Sequence, residues 1–146
     1  DKSFGDVLVL YNNGEMKTFA ADEFAVSEEA AKGIWNVWSF GPALLDADGG
    51  RKTSFDTTVA EENPRTAIGY YEPGHYCIVI GRGTEGSRGY TMSQLSALFE
   101  ELGCAAAYNL DGGRSSVMAW DCGSSLVNSP ASGGRPVCDI IYIPKE

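Results

Sequence analysis

Tyr76-Cys77-Ile78-Val79-Ile80, Thr91-Met92-Ser93-Gln94-Leu95-Ser96-Ala97-Leu98-Phe99-Glu100-Glu101-Leu102 and Ala105-Ala106-Ala107-Tyr108-Asn109-Leu110 together decide the fold. The first run is apolar, short and partly β-branched, as a buried strand is. The second places Met92, Leu95, Leu98, Phe99 and Leu102 at helical spacing. Thr91, followed three residues later by Gln94, is a capping box, in which each residue satisfies a free backbone group or amide at the helix start. Gly103 supplies the stop. The third run is a second apolar strand, so the pattern is strand, helix, strand, with a right-handed crossover between parallel strands. The expected class is α/β (α+β): a mixed β-sheet with a βαβ crossover and flanking helices.

Moving outward, Arg65–Tyr71 predicts a strand joined to Tyr76–Ile80 by the turn Glu72-Pro73-Gly74-His75. Gly81–Gly89 holds four glycines and reads as a loop. Val7–Tyr11 and Glu15–Phe19 flank Asn12-Asn13-Gly14, a hairpin signal, because these turn residues tolerate positive φ. Asp22–Lys32 predicts a short helix, and Trp35–Leu45 a strand broken at Gly41-Pro42. Arg51–Asn63 is polar and reads as loop. Val117–Trp120 and Val137–Ile143 predict two further strands, with Trp120 in the core. Trp35 and Trp38 are three apart, so a strand turns them to opposite faces.

At 146 residues and 43% apolar, the chain can bury one core, which excludes disordered and collagen-like classes. No apolar run reaches the length of about 18 residues that a membrane span needs. The net charge of −9 argues against non-specific binding to nucleic acid or anionic membranes. Its distribution is uneven: residues 1–62 carry 12 acids and 5 bases, whereas residues 63–146 carry 8 acids and 6 bases. Five of those six bases are arginines: Arg65, Arg82, Arg88, Arg114 and Arg135. The sequence starts at Asp1 with no initiator Met and no leader pattern, so a processed or trimmed chain is expected.

The crossover puts Asp111-Gly112-Gly113 at the carboxyl end of a strand, where ligands usually bind in open α/β sheets. Asn109 and Asp111, two apart on a strand, point the same way. Ser115 and Ser116 add hydroxyls. This set suits a sugar or a phosphate. On composition alone, a tight polar turn that satisfies its own backbone is the commoner reading. With one histidine, His75 in a Pro-Gly turn, and no Cys-x-x-Cys pair, a zinc site is not expected. Asp111 and the carbonyls of its turn offer oxygens of the kind Ca²⁺ takes, but too few carboxylates surround them, so no cofactor is expected. Cys77 and Cys104 read as buried thiols. Cys122 and Cys138 flank a loop and could pair if the chain is exported, but four cysteines allow three connectivities and the sequence does not choose.

The segment Asn109-Leu110-Asp111-Gly112-Gly113-Arg114-Ser115-Ser116-Val117-Met118 closely resembles the Asn-Leu-Asp-Gly-Gly-Gly-Ser-Ser-x-Met signature of the phosphodiester glycosidase family. Ser39-Phe40-Gly41-Pro42-Ala43-Leu44, Pro64-Arg65-Thr66-Ala67-Ile68-Gly69, Gly89-Tyr90-Thr91, Val127-Asn128-Ser129-Pro130 and Arg135-Pro136-Val137 resemble further family motifs in the same order, over about residues 36–143. Arg114 stands where the signature has its third glycine. Ile80-Gly81-Arg82 lacks the acid that usually precedes the arginine. No Asn-Gly-Gly-Phe-like motif precedes Trp35, so the chain is expected to be the C-terminal portion of a larger domain.

The resemblance implies hydrolysis of an N-acetylglucosamine-1-phosphodiester-like bond at the anomeric carbon. Asp111 would be the catalytic or sugar-orienting carboxylate, and Arg65 and Arg135 a phosphate clamp, since a guanidinium binds phosphate oxygens two at a time. Asn109 and Asn128 would orient sugar hydroxyls. Gly112, Gly113, Ser115 and Ser116 would form the substrate turn, with Arg82 and Arg114 as further candidates. The implied partner is a carbohydrate or sugar-phosphate, and the implied location extracellular or cell-envelope. Two alternatives stay open at this stage: a non-catalytic carbohydrate-binding module, or a fragment active only with a missing N-terminal half.

Overall fold

The computed structural model describes residues 5–82, 88–121, 125–129 and 131–144. It is a mixed α+β fold. The first hairpin forms as its turn residues require: β1 (Val7–Tyr11) pairs antiparallel with β2 (Met16–Phe19). On its other side β1 pairs with β3 (Ile34–Ser39), so β1 is the middle strand. Its run of five apolar residues follows from that place. Val7, Val9 and Tyr11 are buried on one face beside Phe19, Phe24 and Ile34; Leu8 is buried on the other. The helix expected over 22–32 is one short piece, α1 (Val26–Ala30).

A second sheet carries the site. β4 (Arg65–Glu72) and β5 (His75–Gly81) form the expected hairpin. α2 (Met92–Glu101) follows, and its capping box is complete: Thr91 Oγ1 accepts from the Gln94 amide at 3.2 Å, and Gln94 Oε1 accepts from the Thr91 amide at 2.9 Å. β6 (Ala106–Leu110) then pairs antiparallel with β4. The order β5-β4-β6 makes β5 and β6 run the same way with β4 between them. The helix thus connects two like-directed strands, but it steps over a third, and every ladder among the described residues is antiparallel.

Side-chain alternation then sorts the core. Ala67 and Ala107 face α2 with Met92, Leu95 and Phe99; Ile68, Tyr70 and Tyr108 face the first sheet with Leu8 and Met16. Gly69 of β4 is the point of closest approach on the helix side. A Cβ there would lie 2.7 Å from Phe99 Cε1, 2.7 Å from Cys104 Sγ and 2.8 Å from Cys77 Sγ. Gly69→Ala is therefore expected to destabilise the protein by about 1–3 kcal/mol, the range for overpacking a filled core, despite alanine's lower chain entropy cost. A urea unfolding midpoint at or above wild type would contradict that packing.

Three expectations fail in the last third. Val137–Ile143 joins no strand among the described residues, although its composition is apolar and β-branched. Ile140, Tyr142 and Ile143 are more than 70% exposed. Val117–Trp120 reduces to β7 (Ala119–Trp120), which pairs only with β8 (Ser125–Leu126). Trp120 lies on this small ribbon and is 72% exposed rather than in the core. Trp35 is exposed, while Trp38 packs against the second core cluster. Cys104 is buried, with its thiol pushed up to about 11 chiefly by desolvation, and Cys77 is half-buried. Cys138 is an exposed free thiol, and Cys122 lies outside the described residues.

Candidate active site

The site sits where β6 runs out. Asn109, the last residue but one of that strand, is 1% exposed. Its backbone amide donates to Pro42 O, and its Nδ2 donates to Gly41 O at 3.0 Å. Its Oδ1 is buried without a hydrogen-bond partner among the described residues. A buried acceptor left empty costs roughly 1–3 kcal/mol, so its presence beside a cavity marks a place for a donor from a ligand.

The chain then turns. A Cβ on Gly112 would lie 2.6 Å from Pro64 O, and the Gly113 amide donates to that same carbonyl at 2.7 Å. The two glycines let the turn press onto the start of β4. That carries Asp111 past the sheet edge and leads into one helical turn, Gly113–Ser115.

Two arginines close the other side. Arg135 donates from Nη2 to Asp111 Oδ2 and from Nε to Ser115 Oγ at 2.5 Å. Both members of the ion pair are about half exposed. Arg114 donates from Nε and Nη2 to the carbonyl of Gly134, at 2.8 and 2.5 Å. Arg65 is different. It is 2% exposed, and it donates from Nε to Tyr90 O at 3.0 Å and from Nη2 to Val59 O at 2.6 Å and to Glu61 O. Burial lowers its pKa, but a guanidinium stays charged. No carboxylate pairs with it among the described residues, where its partners are the carbonyl dipoles of Val59, Glu61 and Tyr90.

These groups surround one pocket of about 320 Å³, lined by Asn109, Asp111, Gly112, Gly113, Arg65, Arg114 and Arg135, together with Phe40, Val59, Asn63 and Leu110. Its volume is at the small end of ligand sites and fits a single sugar ring with its substituent.

The model of the phosphodiester glycosidase family matches residues 2–144. The chain belongs to the phosphodiester glycosidase family. The match begins well before residue 36, so it takes in the first hairpin as well as the motif-bearing part. The SPbeta prophage-derived uncharacterized protein YomE of Bacillus subtilis (strain 168) is 33% identical in an alignment 144 residues long that covers 94% of this chain and 22% of that protein. The fold is shared with the auto-inhibited catalytic domain of zebrafish N-acetylglucosamine-1-phosphodiester alpha-N-acetylglucosaminidase, at a TM-score of 0.64 and 19% identity, over 92% of this chain and 47% of that one. It is shared also with a hypothetical protein from Synechocystis, at a TM-score of 0.59 and 17% identity, over 92% of this chain and 33% of that one. The chain spans less than half the length of each relative it matches here.

Within this glycosidase fold, not every residue singled out in the sequence reaches the pocket wall. Ser116 is buried against β4, its Oγ 3.2 Å from Thr66 Oγ1. Asn128 is a brace: its Nδ2 donates to Ser116 O at 2.7 Å, and its Oδ1 accepts from the Met118 amide at 2.6 Å. Both ends of that amide hold the segment following the turn. Arg82 is exposed and lies away from the lining, and Ser115 reaches the site through Arg135. Conversely, Phe40, Val59 and Asn63 line the pocket without having been singled out. Phe40 is half exposed and is fixed through its amide, which donates to the Tyr108 hydroxyl at 2.9 Å. The one available signal was its place before Gly41-Pro42. Val59 and Asn63 belong to a polar segment with no periodicity to betray them.

Proposed function

We propose that this pocket binds a sugar-1-phosphodiester and hydrolyses it at the anomeric carbon. The observation that carries the reading is the meeting, in one sugar-sized pocket, of a carboxylate, a guanidinium paired with it, and a buried amide oxygen without a partner. Asn109 Oδ1 accepts a hydrogen bond from a sugar hydroxyl or amide N–H. The apolar face of the ring lies against Phe40, the exposed aromatic of the wall. The phosphate goes to Arg135, and the charge of Arg65 in the wall, with no carboxylate partner among the described residues, favours the anion.

Chemistry follows from the leaving group. Cleavage breaks the C1–O bond, and the phosphate monoester departs with the bonding electrons. It is a weak base, so it needs charge neutralisation more than a proton, and Arg135 supplies that. Positive charge develops at C1, and Asp111 supplies the carboxylate that stabilises it. Water adds its oxygen to C1 and loses one proton. The test is incubation of the chain with N-acetylglucosamine-phosphate-methyl mannoside, with free N-acetylglucosamine as the readout. Release of the sugar is the expected result. Binding without release would make this a carbohydrate-binding module, and neither binding nor release by the folded chain would overturn the reading.

A further inference from the structure

We propose that Arg114 is a positioning residue that sets Arg135 for the phosphate and, through it, Asp111 for the anomeric carbon; the roles assigned to Arg135 and Asp111 rest on the function proposed above. Two short turns face each other at the pocket mouth, Gly113–Ser115 and Ala131–Gly133, and they are stitched in both directions. From the first, Arg114 sends two N–H groups to one backbone carbonyl of the second segment, that of Gly134. From the second, Arg135 sends its guanidinium back to Ser115 and Asp111 of the first. The two ties are adjacent in sequence, so the carbonyl that Arg114 grips belongs to the peptide unit from which Arg135 departs.

The second segment needs that grip. Ser132, Gly133 and Gly134 all have left-handed backbone, with φ of 48°, 76° and 79°. A run of such residues holds little conformational preference of its own, and fixing it costs entropy. Its internal backbone tie among the described residues is Gly134 N to Ala131 O at 3.0 Å. Gly134 is nevertheless buried, as a segment held from outside would be. Arg114 thus contributes by orienting Arg135 rather than by adding a second phosphate ligand.

Inorganic phosphate is the probe, with binding followed by titration calorimetry in a double-mutant cycle. Arg114→Ala is expected to weaken phosphate binding about tenfold, the loss that accompanies roughly 1.4 kcal/mol. Arg135→Ala weakens it at least as much, and the double variant is no weaker than Arg135→Ala alone, because the first residue acts through the second. Arg114→Lys, with one donor within reach of the same carbonyl, recovers part of the loss. Additive losses would mean that Arg114 touches phosphate itself and would overturn the proposal. A lower melting temperature with phosphate affinity within about twofold of wild type would overturn it too, as a merely structural role. If the wild-type chain binds no phosphate, the functional reading fails instead. The positioning claim is then decided by the ¹⁵N–¹H resonance of Arg135 Nε, which is expected to move to the free-arginine position in Arg114→Ala and would refute the claim by staying put.

Discussion

Arg65→Met is expected to lower the melting temperature by roughly 10 °C, the shift that about 3 kcal/mol produces in a domain of this size. Methionine matches the stem of the side chain but removes every donor. The carbonyls of Val59, Glu61 and Tyr90 then lose their partner at once. An acceptor left without a bond costs about 1–3 kcal/mol, reduced where water can reach it. Val59 and Glu61 lie on the exposed side, so the total stays near the lower end of the sum for three groups. Arg65→Lys keeps the charge, but an ammonium at the end of a flexible stem does not span three carbonyls in the geometry of a guanidinium, and about half the loss is expected to remain. Both are measured by calorimetric melting. A shift of under 2 °C for Arg65→Met would mean that these bonds do not hold the 59–63 segment, and that Val59 and Asn63 reach the pocket wall by another route.

Asp111→Asn is expected to reduce sugar release about 10²–10⁴-fold, the usual contribution of a well-placed carboxyl group in proton transfer or charge stabilisation. Its melting temperature should hardly move. The Asp111–Arg135 pair is about half exposed, and ion pairs of that kind contribute about 0–1 kcal/mol. The substitution also frees Arg135 from its carboxylate, so the apparent affinity for the phosphodiester should hold or improve while turnover falls. That split separates a chemical role for Asp111 from a binding role. A raised KM with an unchanged kcat would place the carboxylate in binding alone.

How much of this was legible in the sequence depends on how local each signal is. The α2 helix was read with its capping box and its buried face, because both lie within a dozen residues. The two hairpins were read for the same reason: Asn13-Gly14 and Pro73-Gly74 announce their turns within the chain. The insertion of β4 between β5 and β6 was not legible. It is decided by which apolar strand meets which, and strand, helix, strand is equally compatible with neighbouring strands and with a split pair. Val137–Ile143 shows the limit from the other side: its residues favour a strand, but a strand needs a partner edge.

The site divides along the same line. Asp111, Gly112 and Gly113 cluster within one turn, so a short motif reveals them. The surroundings of Arg65 were invisible, because its three carbonyl partners come from a loop without pattern and from the segment preceding α2. Asn128, expected to orient a sugar hydroxyl, braces Ser116 and Met118 some ten residues back along the chain. Phe40 and Asn63 reach the pocket from strand ends far from the motif, and only the assembled sheets bring them there.

The most direct measurement is hydrolysis of a sugar-1-phosphodiester by this chain in ¹⁸O-labelled water, with the phosphate product read by the ³¹P isotope shift. Attack at the anomeric carbon, facing Asp111, with departure of the phosphate toward Arg135, predicts a phosphate monoester that carries no ¹⁸O. A monoester containing one ¹⁸O would place the attack at phosphorus and contradict the account.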